Sequence, residues 1–403
     1  MSEAKHTIEA MTKTLRMIDL FAGCGGMTVG FAAEGFHSVL AVEWDRAAAA
    51  TYAANFGEEH VIPGDIARVP DAAIPEADLI IGGPPCQGFS NLGLKNIDDP
   101  RNQLWREYMR FVKHSRPKVF VIENVDRFAK SPEFAMLVAE TDHGALAEYE
   151  LQHAVLNAAD YGVAQRRKRT IIIGSRIGRI DVPEPTHAKN PSAGSGLLPW
   201  RTLRDVISAL PPHPSTTELP NSSSVFFDES MPGVFRGLDL HIRRTPTSKS
   251  LDRYSFVPPG GGRFDLPQAL LPNCWANKPT GTTDVMGRLR WDAPSVTIRT
   301  EFFKPEKGQY LHPQWEAGDW VEEYGKYRSD PARSIDRVIS HFEASLIQDF
   351  PPDYRWVGTK IQIARQIGNA VPSSLARAIA RQIKPFLLAE GATSEQQVEL
   401  AVA

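Results

Sequence analysis

Short apolar runs alternate with amphipathic stretches through the first half of the chain. The apolar runs predict six strands, at 15–21, 38–43, 77–82, 118–123, 149–156 and 170–175. The stretches between them, such as 46–56 and 103–114, have the pattern of helices. Strands that are separated by helices form parallel sheets, because a parallel connection needs a long crossover. We therefore expect an α/β fold with a doubly wound parallel sheet.

The pattern changes after about residue 180. Residues 181–285 are rich in proline, glycine, serine and threonine and have no regular period, which is typical of a loop-rich domain. Regular structure returns at 339–350 and at 373–388, where apolar and basic residues fall on opposite sides of a predicted helix. With 403 residues, the chain is long enough for two domains or for one domain with a large insertion.

Composition narrows the class of protein. Hydrophobic residues make up 42% and charged residues 23%, which is an ordinary globular balance. No apolar run reaches the roughly 18 to 20 residues of a membrane helix, and the N-terminus lacks the apolar core of a signal peptide. The three cysteines are too few for a disulfide framework, and no Cys/His cluster has zinc-ligand spacing. We expect a cytoplasmic protein with reduced thiols, no membrane contact and no bound metal.

Charge is unevenly placed although the net charge is only −3. Basic residues cluster in QRRKR at 165–169 and around Arg243 and Arg244. Either cluster alone is best interpreted as a solvated face. Together with the motifs described next, a local phosphate-binding surface becomes the better interpretation.

A glycine-rich loop, DLFAGCGG at 19–26, follows the first predicted strand and precedes a helical stretch. Glycines at this place let a nucleotide-like ligand approach the backbone. Glu43 ends the next strand, where a carboxylate can accept both ribose hydroxyls, and Asp65 follows a third strand and could hold an adenine edge. A tight turn without a ligand is the alternative, but three such strand ends on one rim favour a ligand.

Spacing alone does not separate S-adenosylmethionine from NAD. The loop reads GCGGMTVG, so the glycines that would cradle a pyrophosphate in a GxGxxG pattern are out of register. A ligand without a pyrophosphate therefore fits better.

Cys86 lies in GGPPCQGFS, directly after the predicted strand that ends in ADLII. Two prolines stiffen the approach to this thiol, which is placed at a strand end as a nucleophile would be. The alternative is a small buried hydrophobe, the usual role of a free cysteine. Such cysteines usually lie inside a strand or helix, so we favour the nucleophile.

Two further segments point to the same rim. Glu123, in ENV, ends another strand, and an unpaired glutamate there would be costly to bury without a ligand. QRRKR immediately precedes TIIIGS, so that Gln165, Arg167 and Arg169 would share one face of an extended chain.

These segments, in this order, resemble the motifs of the bacterial DNA (cytosine-5) methyltransferase family. DLFAGCGG is similar to its first motif, PPCQGFS to its nucleophile motif, ENV to its glutamate motif and QRRKR to its QxRxR motif. RLRWDAPSVTIRT at 288–300 and QIGNAVP at 366–372 resemble two later motifs. The resemblance spans residues 15 to 385.

The resemblance implies a Rossmann-like S-adenosylmethionine-dependent methyltransferase domain, formed by 1–185 plus 338–403, and a smaller, loop-rich target-recognition domain at 186–337. DNA would lie in the cleft between them. Residues 314–336 are extra relative to the family pattern, and acids outnumber bases there, so we expect no phosphate contact from this segment. ISHFEAS replaces the usual Thr-x-Arg-Glu pattern nearby.

The resemblance also implies the chemistry. The enzyme would methylate carbon 5 of a cytosine in a specific double-stranded DNA sequence, with S-adenosylmethionine as donor and S-adenosylhomocysteine as product, and without a metal. The target base would be flipped out of the duplex. Cys86 would attack carbon 6, Glu123 would contact ring nitrogen 3, and Arg167 and Arg169 would hold the base oxygen and the neighbouring backbone.

The family's cofactor and DNA contacts carry over to matching positions. The residues implied to bind the cofactor are Asp19, Phe21, Gly23, Cys24, Gly26, Glu43, Trp44, Asp65, Ile66, Pro85, Leu104, Asn369, Ala370 and Val371. The residues expected to contact DNA are Gln87, Ser90, Gln165, Arg243 and Arg244. Asn369 should lie beside the 21–26 loop, which would make the second domain an insertion within one fold. We expect a monomer on DNA, in the cytoplasm and at the nucleoid, and a restriction or other defence system as a partner.

Two rival functions remain open at this point. The tRNA branch of the family carries a Cys-Phe-Thr segment in its variable region, whereas this chain has Cys274-Trp275-Ala276. A DNA-binding regulator that has lost catalysis would not need an intact Cys86 and Glu123. The DNA sequence that is methylated cannot be read from one chain, because groove contacts depend on the aim of individual side chains.

Overall fold

The computed structural model describes residues 14–85, 100–276, 280–281 and 283–389. A seven-stranded sheet forms the centre of the first half. Its strands are β1 Leu15–Leu20, β2 Phe36–Glu43, β3 Val61–Pro63, β4 Leu79–Gly82, β5 Val119–Val125, β6 Glu150–Asn157 and β7 Lys168–Ser175. The helices between them are α1 Gly26–Ala32, α2 Arg46–Phe56, α3 Pro100–Ser115 and α4 Pro132–Asp142. The strand order is β3-β2-β1-β4-β5-β7-β6, which confirms the six predicted strands and the doubly wound arrangement.

One strand departs from the predicted parallel sheet. β1 to β5 are parallel, but β7 inserts between β5 and β6 and runs antiparallel to both. The physical reason lies in the connection between β6 and β7, which holds only a 3-10 turn at Ala158–Tyr161. A parallel neighbour would need a crossover of a dozen or more residues, usually a helix. The prediction of an all-parallel sheet is therefore wrong for β7.

The end of the chain returns to this sheet. α10 Ser373–Ala389 buries Leu375, Ile379 and Ile383 in one apolar core with residues of α1 and of β1, β4, β5 and β7. The opposite face of the sheet is covered by α3 and α4. The predicted amphipathic helix and its return to the first half of the chain are confirmed.

Elements in the remainder are short, as the composition predicts. They are β8 His187–Ala188, β9 Leu198–Pro199, α5 Leu203–Ile207, β10 Ser223–Phe226, β11 Glu229–Phe235, α6 Ser248–Ser255, α7 Asn273–Ala276, β12 Gly287–Arg288, β13 Gln309–Leu311, β14 Ala317–Val321, β15 Lys326–Ser329, α8 His341–Ile347, β16 Trp356–Val357 and α9 Lys360–Asn369. The extra segment forms the antiparallel hairpin β14–β15, on which Trp320 and Tyr327 pair edge to face.

Part of the loop-rich region between β7 and α8 contacts α2 and pairs with a strand near the end of the described chain. β11 pairs with β16, and Arg46 of α2 forms an ion pair of 3.0 Å with Glu229 of β11. Across the described residues, no helix has both the length and the apolar character to cross a membrane.

Candidate active site

A cavity of about 590 Å³ opens at the carboxyl ends of β1, β2, β4 and β5. This is the edge at which open α/β sheets bind ligands. All fourteen residues predicted for the cofactor line it, and so do Glu123, Arg167 and Arg169. The predicted residues Cys86, Gln87 and Ser90 lie outside the described residues. In the sequence, Cys86 directly follows Pro85, which lines the cavity.

The conformation of the glycine loop allows close contacts with other parts of the chain. Gly25 has φ of +87°, and a Cβ there would lie 2.5 Å from the ring of Phe56. A Cβ on Gly26 would lie 2.7 Å from the carbonyl oxygen of Val371. These glycines therefore let the C-terminal part of the chain approach the loop, which places Val371 in the cavity wall.

Glu43 is held by two backbone N–H groups. Gly23 donates to its Oε2 at 2.8 Å and Asp45 donates to its Oε1 at 2.7 Å. Burial raises the pKa of Glu43, while these hydrogen bonds oppose the shift. Each carboxylate oxygen keeps a lone pair, so the carboxylate is oriented and can still accept hydroxyl groups. Trp44 follows it with its side chain 70% exposed in the cavity wall, and Phe21 lines the same cavity.

Asp19 is buried behind the loop. It accepts a hydrogen bond of 2.6 Å from Thr28, whose hydroxyl also lies 3.1 Å from that of Tyr52. Burial raises the pKa of Asp19 to about 7, against the effect of the Thr28 hydrogen bond. Asp65 uses one carboxylate oxygen to accept from the N–H of Ala67 at 3.0 Å, which caps the 3-10 turn after β3.

Glu123 and Arg169 form the charged pair of the cavity. Arg169 Nε lies 2.7 Å from Glu123 Oε1, and both side chains are largely buried. Arg169 stands near the start of β7 and Glu123 near the end of β5. The antiparallel direction of β7 brings its first residues to the rim at which β5 ends, whereas a parallel β7 would have put Arg169 at the opposite edge.

Arg167 is fully buried and faces backbone carbonyl groups. Its Nη1 donates to Ile298 at 3.1 Å, and its Nη2 donates to Gly368 at 3.0 Å. Its buried Nε has no hydrogen-bond partner among the described residues. Burial and the neighbouring charge of Arg169 lower the pKa of Arg167 to about 9. Arg167 thus fixes the C-terminal end of α9, where Asn369 lines the cavity.

Gln165, which was predicted to contact DNA, lies inside the protein. Its side chain is completely buried, donates to Gln348 Oε1 at 2.6 Å and accepts from the N–H of Ile298 at 2.9 Å. The residue lies before β7, where the chain bridges to Ser295 inside the protein. Gln165 therefore joins two parts of the chain and has no surface on which DNA could lie.

Asn124 and Arg365 are among the cavity residues that the motifs did not single out. Asn124, in ENV, is buried and donates from Nδ2 to the carbonyl oxygen of Pro84 at 2.8 Å, two residues before Cys86. Arg365 also lines the cavity, one residue before QIGNAVP. The motif contained Asn124, but only the contact with Pro84 shows its role as a positioning residue.

The other cysteines are poor candidates for a nucleophile. Burial raises the pKa of Cys24 far above its usual range, and its thiol lies 3.7 Å from the carbonyl oxygen of Gln366. A low thiolate fraction makes a thiol unreactive. Cys274 is exposed on α7, outside the cavity lining.

The predicted basic contacts lie in a neighbouring groove. Arg243 and Arg244 are exposed and line a groove of about 320 Å³, in which Arg244 donates to the carbonyl oxygen of Phe303 at 2.9 Å. Within the described ranges, no group of three or more His, Cys, Asp or Glu side chains is arranged to hold a metal ion.

Comparison with known proteins agrees with this site. The family model described as C-5 cytosine-specific DNA methylase matches residues 15–227 and 273–385. The Type II methyltransferase M1.HphI of Haemophilus parahaemolyticus is 32% identical over 392 residues, covering 94% of this chain and 89% of the relative. The Type II methyltransferase M.AgeI of Thalassovita gelatinovora is 30% identical over 446 residues, covering 92% of this chain and 99% of the relative.

Solved structures share the fold. A candidate DNA modification methyltransferase encoded within an E. coli prophage matches with a TM-score of 0.64 at 24% identity, covering 93% of this chain and 99% of the other. The Dnmt2 methyltransferase of S. pombe matches with a TM-score of 0.55 at 16% identity, covering 92% and 99%. From the family match over most of its length, the chain belongs to the C-5 cytosine-specific DNA methylase family and is a DNA cytosine-5 methyltransferase that uses S-adenosylmethionine.

Proposed function

We propose that this enzyme methylates one cytosine within a specific double-stranded DNA sequence through a covalent bond between Cys86 and carbon 6 of the flipped base. The observation that carries the proposal is the shared cavity. Glu123 and Arg169 lie in the same cavity as Pro84 and Pro85, which lead directly to Cys86, and as the glycine loop. A reacting base and a cofactor could therefore meet there.

The residues of the cavity fit S-adenosylmethionine. The oriented carboxylate of Glu43 suits two ribose hydroxyls, and the aromatic side chains of Phe21 and Trp44 suit a flat adenine. Asp65 and Ile66 line the wall where the adenine edge would lie. When bound, the cofactor supplies an electrophilic methyl group on a sulfonium sulfur, and S-adenosylhomocysteine would remain as product.

The chain's own residues would divide the work on the cytosine. The Cys86 thiolate adds to carbon 6, and the electron pair of the 5,6 double bond becomes available at carbon 5. Glu123 holds ring nitrogen 3 and Arg169 the base oxygen, where negative charge grows during the addition. After carbon 5 has gained its methyl group, loss of the carbon 5 proton restores the double bond and expels the thiolate.

Neighbouring groups prepare this chemistry. The Asn124 amide fixes the Pro84 carbonyl and hence the start of the segment that carries Cys86. Arg167 holds the end of α9 against the cavity and acts as a positioning residue. A base in a duplex cannot reach such a cavity while stacked, so the target nucleotide has to be extruded.

Trapping with 5-fluorocytosine tests the covalent step. Duplex DNA carrying this base should form a stable adduct with the enzyme in the presence of S-adenosylmethionine, because fluorine cannot leave as a proton does. Cys86→Ser should abolish the adduct while DNA binding stays measurable, and Cys274→Ser should trap as the wild-type protein does. An adduct that survives in Cys86→Ser would refute the mechanism.

The names of the relatives suggest the biological setting. Because both are called Type II methyltransferases, we extend a restriction-modification or related defence role to this chain, acting as a monomer on DNA. The proposed division into 1–185 plus 338–403 and 186–337 rests on the family pattern. Sequencing of genomic DNA for modified cytosine, with and without this protein, would identify the methylated site.

A further inference from the structure

Among the described residues, three arginines line the active-site cavity, and their side chains differ in how many partners they have. Arg167 donates to carbonyl oxygens, and Arg169 is paired with Glu123. The Arg365 side chain is exposed and makes no hydrogen bond or ion pair with any residue of the described ranges. A free cation in the wall of a substrate cavity is available for an anionic group of the ligand.

The position of Arg365 on α9 indicates from which side an anionic group of the ligand would approach it. Ile361, Arg365 and Asn369 are spaced four residues apart and exposed, so they share one face of the helix. Asn369 lines the active-site cavity at one end of this face, and Ile361 lines the neighbouring groove at the other. Arg365 therefore lies between the cavity and the groove.

The neighbouring groove carries more basic than acidic side chains. Arg243 and Arg244 face it together with Lys360, which forms an ion pair of 2.7 Å with Glu218 of the same groove. The guanidinium group of Arg243 makes no ion pair within the part of the chain that the structure describes. Arg243 and Arg244 therefore place positive charge in the groove at one end of the α9 face that carries Arg365, and basic side chains along such a path suit a nucleic-acid backbone.

We propose that Arg365 binds a phosphate of the target DNA strand at the point where the strand passes from this groove to the active-site cavity. The inference rests on the proposed function, since it takes the cavity as the site of the flipped base. A flipped nucleotide must be held by its flanking phosphates, because phosphate contacts set the register of the strand. The carboxylate of the cofactor is the competing ligand for this cation.

The test compares Arg365→Gln and Arg365→Lys with Arg381→Gln, an exposed arginine of α10 that pairs with Glu34 away from the cavity. Methyl transfer from S-adenosylmethionine to long unmethylated DNA of mixed sequence gives KM and kcat. Calorimetry gives the Kd for the cofactor. We expect Arg365→Gln to raise the KM for DNA about tenfold, the scale of one charge-assisted hydrogen bond. The cofactor Kd should stay within about twofold, and Arg365→Lys should recover part of the KM.

Salt dependence gives a second readout that a structural role would not move. Removing one phosphate contact should lower the slope of log KM against log salt by about one, with no change for Arg381→Gln. A raised cofactor Kd with an unchanged KM for DNA would assign Arg365 to the cofactor carboxylate and overturn the inference. Unchanged values of both would also overturn it. If the wild-type enzyme itself methylates no DNA, the proposed function fails first, and Arg365 is not the cause.

Discussion

The most tightly held charges of the molecule lie outside the active site. Arg337 donates to both carboxylate oxygens of Glu343 at 2.7 Å, and the N–H of Ser340 adds a third bond at 2.6 Å. Burial disfavours the charged carboxylate, but Arg337 outweighs it, so that the pKa of Glu343 falls to about 2. His312 lies 3.6 Å from the same carboxylate, and burial lowers its pKa to about 3.

His312 should make the enzyme sensitive to acid. Its folded pKa of about 3 lies below the usual 6.5, so the unfolded chain takes up a proton that the folded chain refuses. The contribution of neutral His312 to the free energy of unfolding is therefore fully present above pH 6.5, and it is lost as pH falls towards 3. In His312→Gln, the slope of unfolding free energy against pH between about 6 and 4 should be shallower by up to about 1.4 kcal/mol per pH unit. Urea denaturation measures it, with the exposed His213→Gln as control; equal slopes in His312→Gln and wild type would contradict the argument.

Glu43 should dominate cofactor affinity at the level of one side chain. Glu43→Gln keeps the shape of the group but removes the charge that accepts from Gly23 and Asp45. We expect binding of S-adenosylmethionine to weaken by about 1.5–3 kcal/mol, the scale of a charged hydrogen-bonding group. Calorimetry measures the Kd, and Glu34→Gln, on the far side of α1, serves as control. An unchanged Kd would rule out this role.

The motifs predicted which residues line the cavity. They were less informative about the contacts that each of these side chains makes there. The residues from the glycine loop, from ENV and from QIGNAVP meet as the family pattern implies. The side chains of Gln165 and Arg167 were expected to contact DNA and the base, but they form hydrogen bonds inside the protein. Their partners Ile298 and Gly368 lie more than a hundred residues away in the sequence. Such partners depend on the tertiary fold, and no local pattern records them.

At the scale of elements, the direction of one strand decides the site. Apolar periodicity identified β7 but did not give its direction, because a buried strand has the same apolar pattern whether it runs parallel or antiparallel to its neighbours. The length of the preceding connection held the missing information, because it is too short for a crossover. Without the reversal, Arg169 and Glu123 would lie at opposite edges of the sheet.

The contact between α1 and α10 can be tested with a single methyl group. A Cβ on Gly30 would lie 2.4 Å from the Ser373 carbonyl oxygen and 2.5 Å from the Arg377 nitrogen, both backbone atoms of α10. Helix propensity alone favours alanine by up to about 1 kcal/mol. Overpacking costs about 1–3 kcal/mol, so Gly30→Ala should be destabilising and should also weaken cofactor binding through the shifted 369–371 segment. Denaturant unfolding checks the sign, with Gly64→Ala as the control for stability alone: its Cβ would meet nothing within 4 Å, but Gly64 lines the cofactor cavity. A gain in stability for Gly30→Ala would show that α10 adjusts freely.

At the scale of the whole molecule, the short elements between β7 and α8 should determine which DNA sequence is methylated. Replacing residues 186–290 by the corresponding segment of a related enzyme should move the methylated sequence, while chemistry through Cys86 continues. Bisulfite sequencing of DNA treated with the chimaera reads the outcome. Persistence of the original site would place recognition elsewhere, whereas loss of all methylation would call for a chimaera that keeps β11, which pairs with β16.

The return of α10 to the sheet has a consequence for the order of synthesis. The glycine loop leaves the ribosome early, but the helix that covers Met17, Phe31 and Val121 is made only after the variable region has been synthesised. Until then this apolar face has no cover, and the cavity lacks the wall formed by Asn369, Ala370 and Val371. Contacts between such distant segments form late, because the loop between them must close first. A nascent chain therefore cannot bind its methyl donor in a finished cavity before the end of α9 and α10 have left the ribosome, and DNA modification begins no earlier.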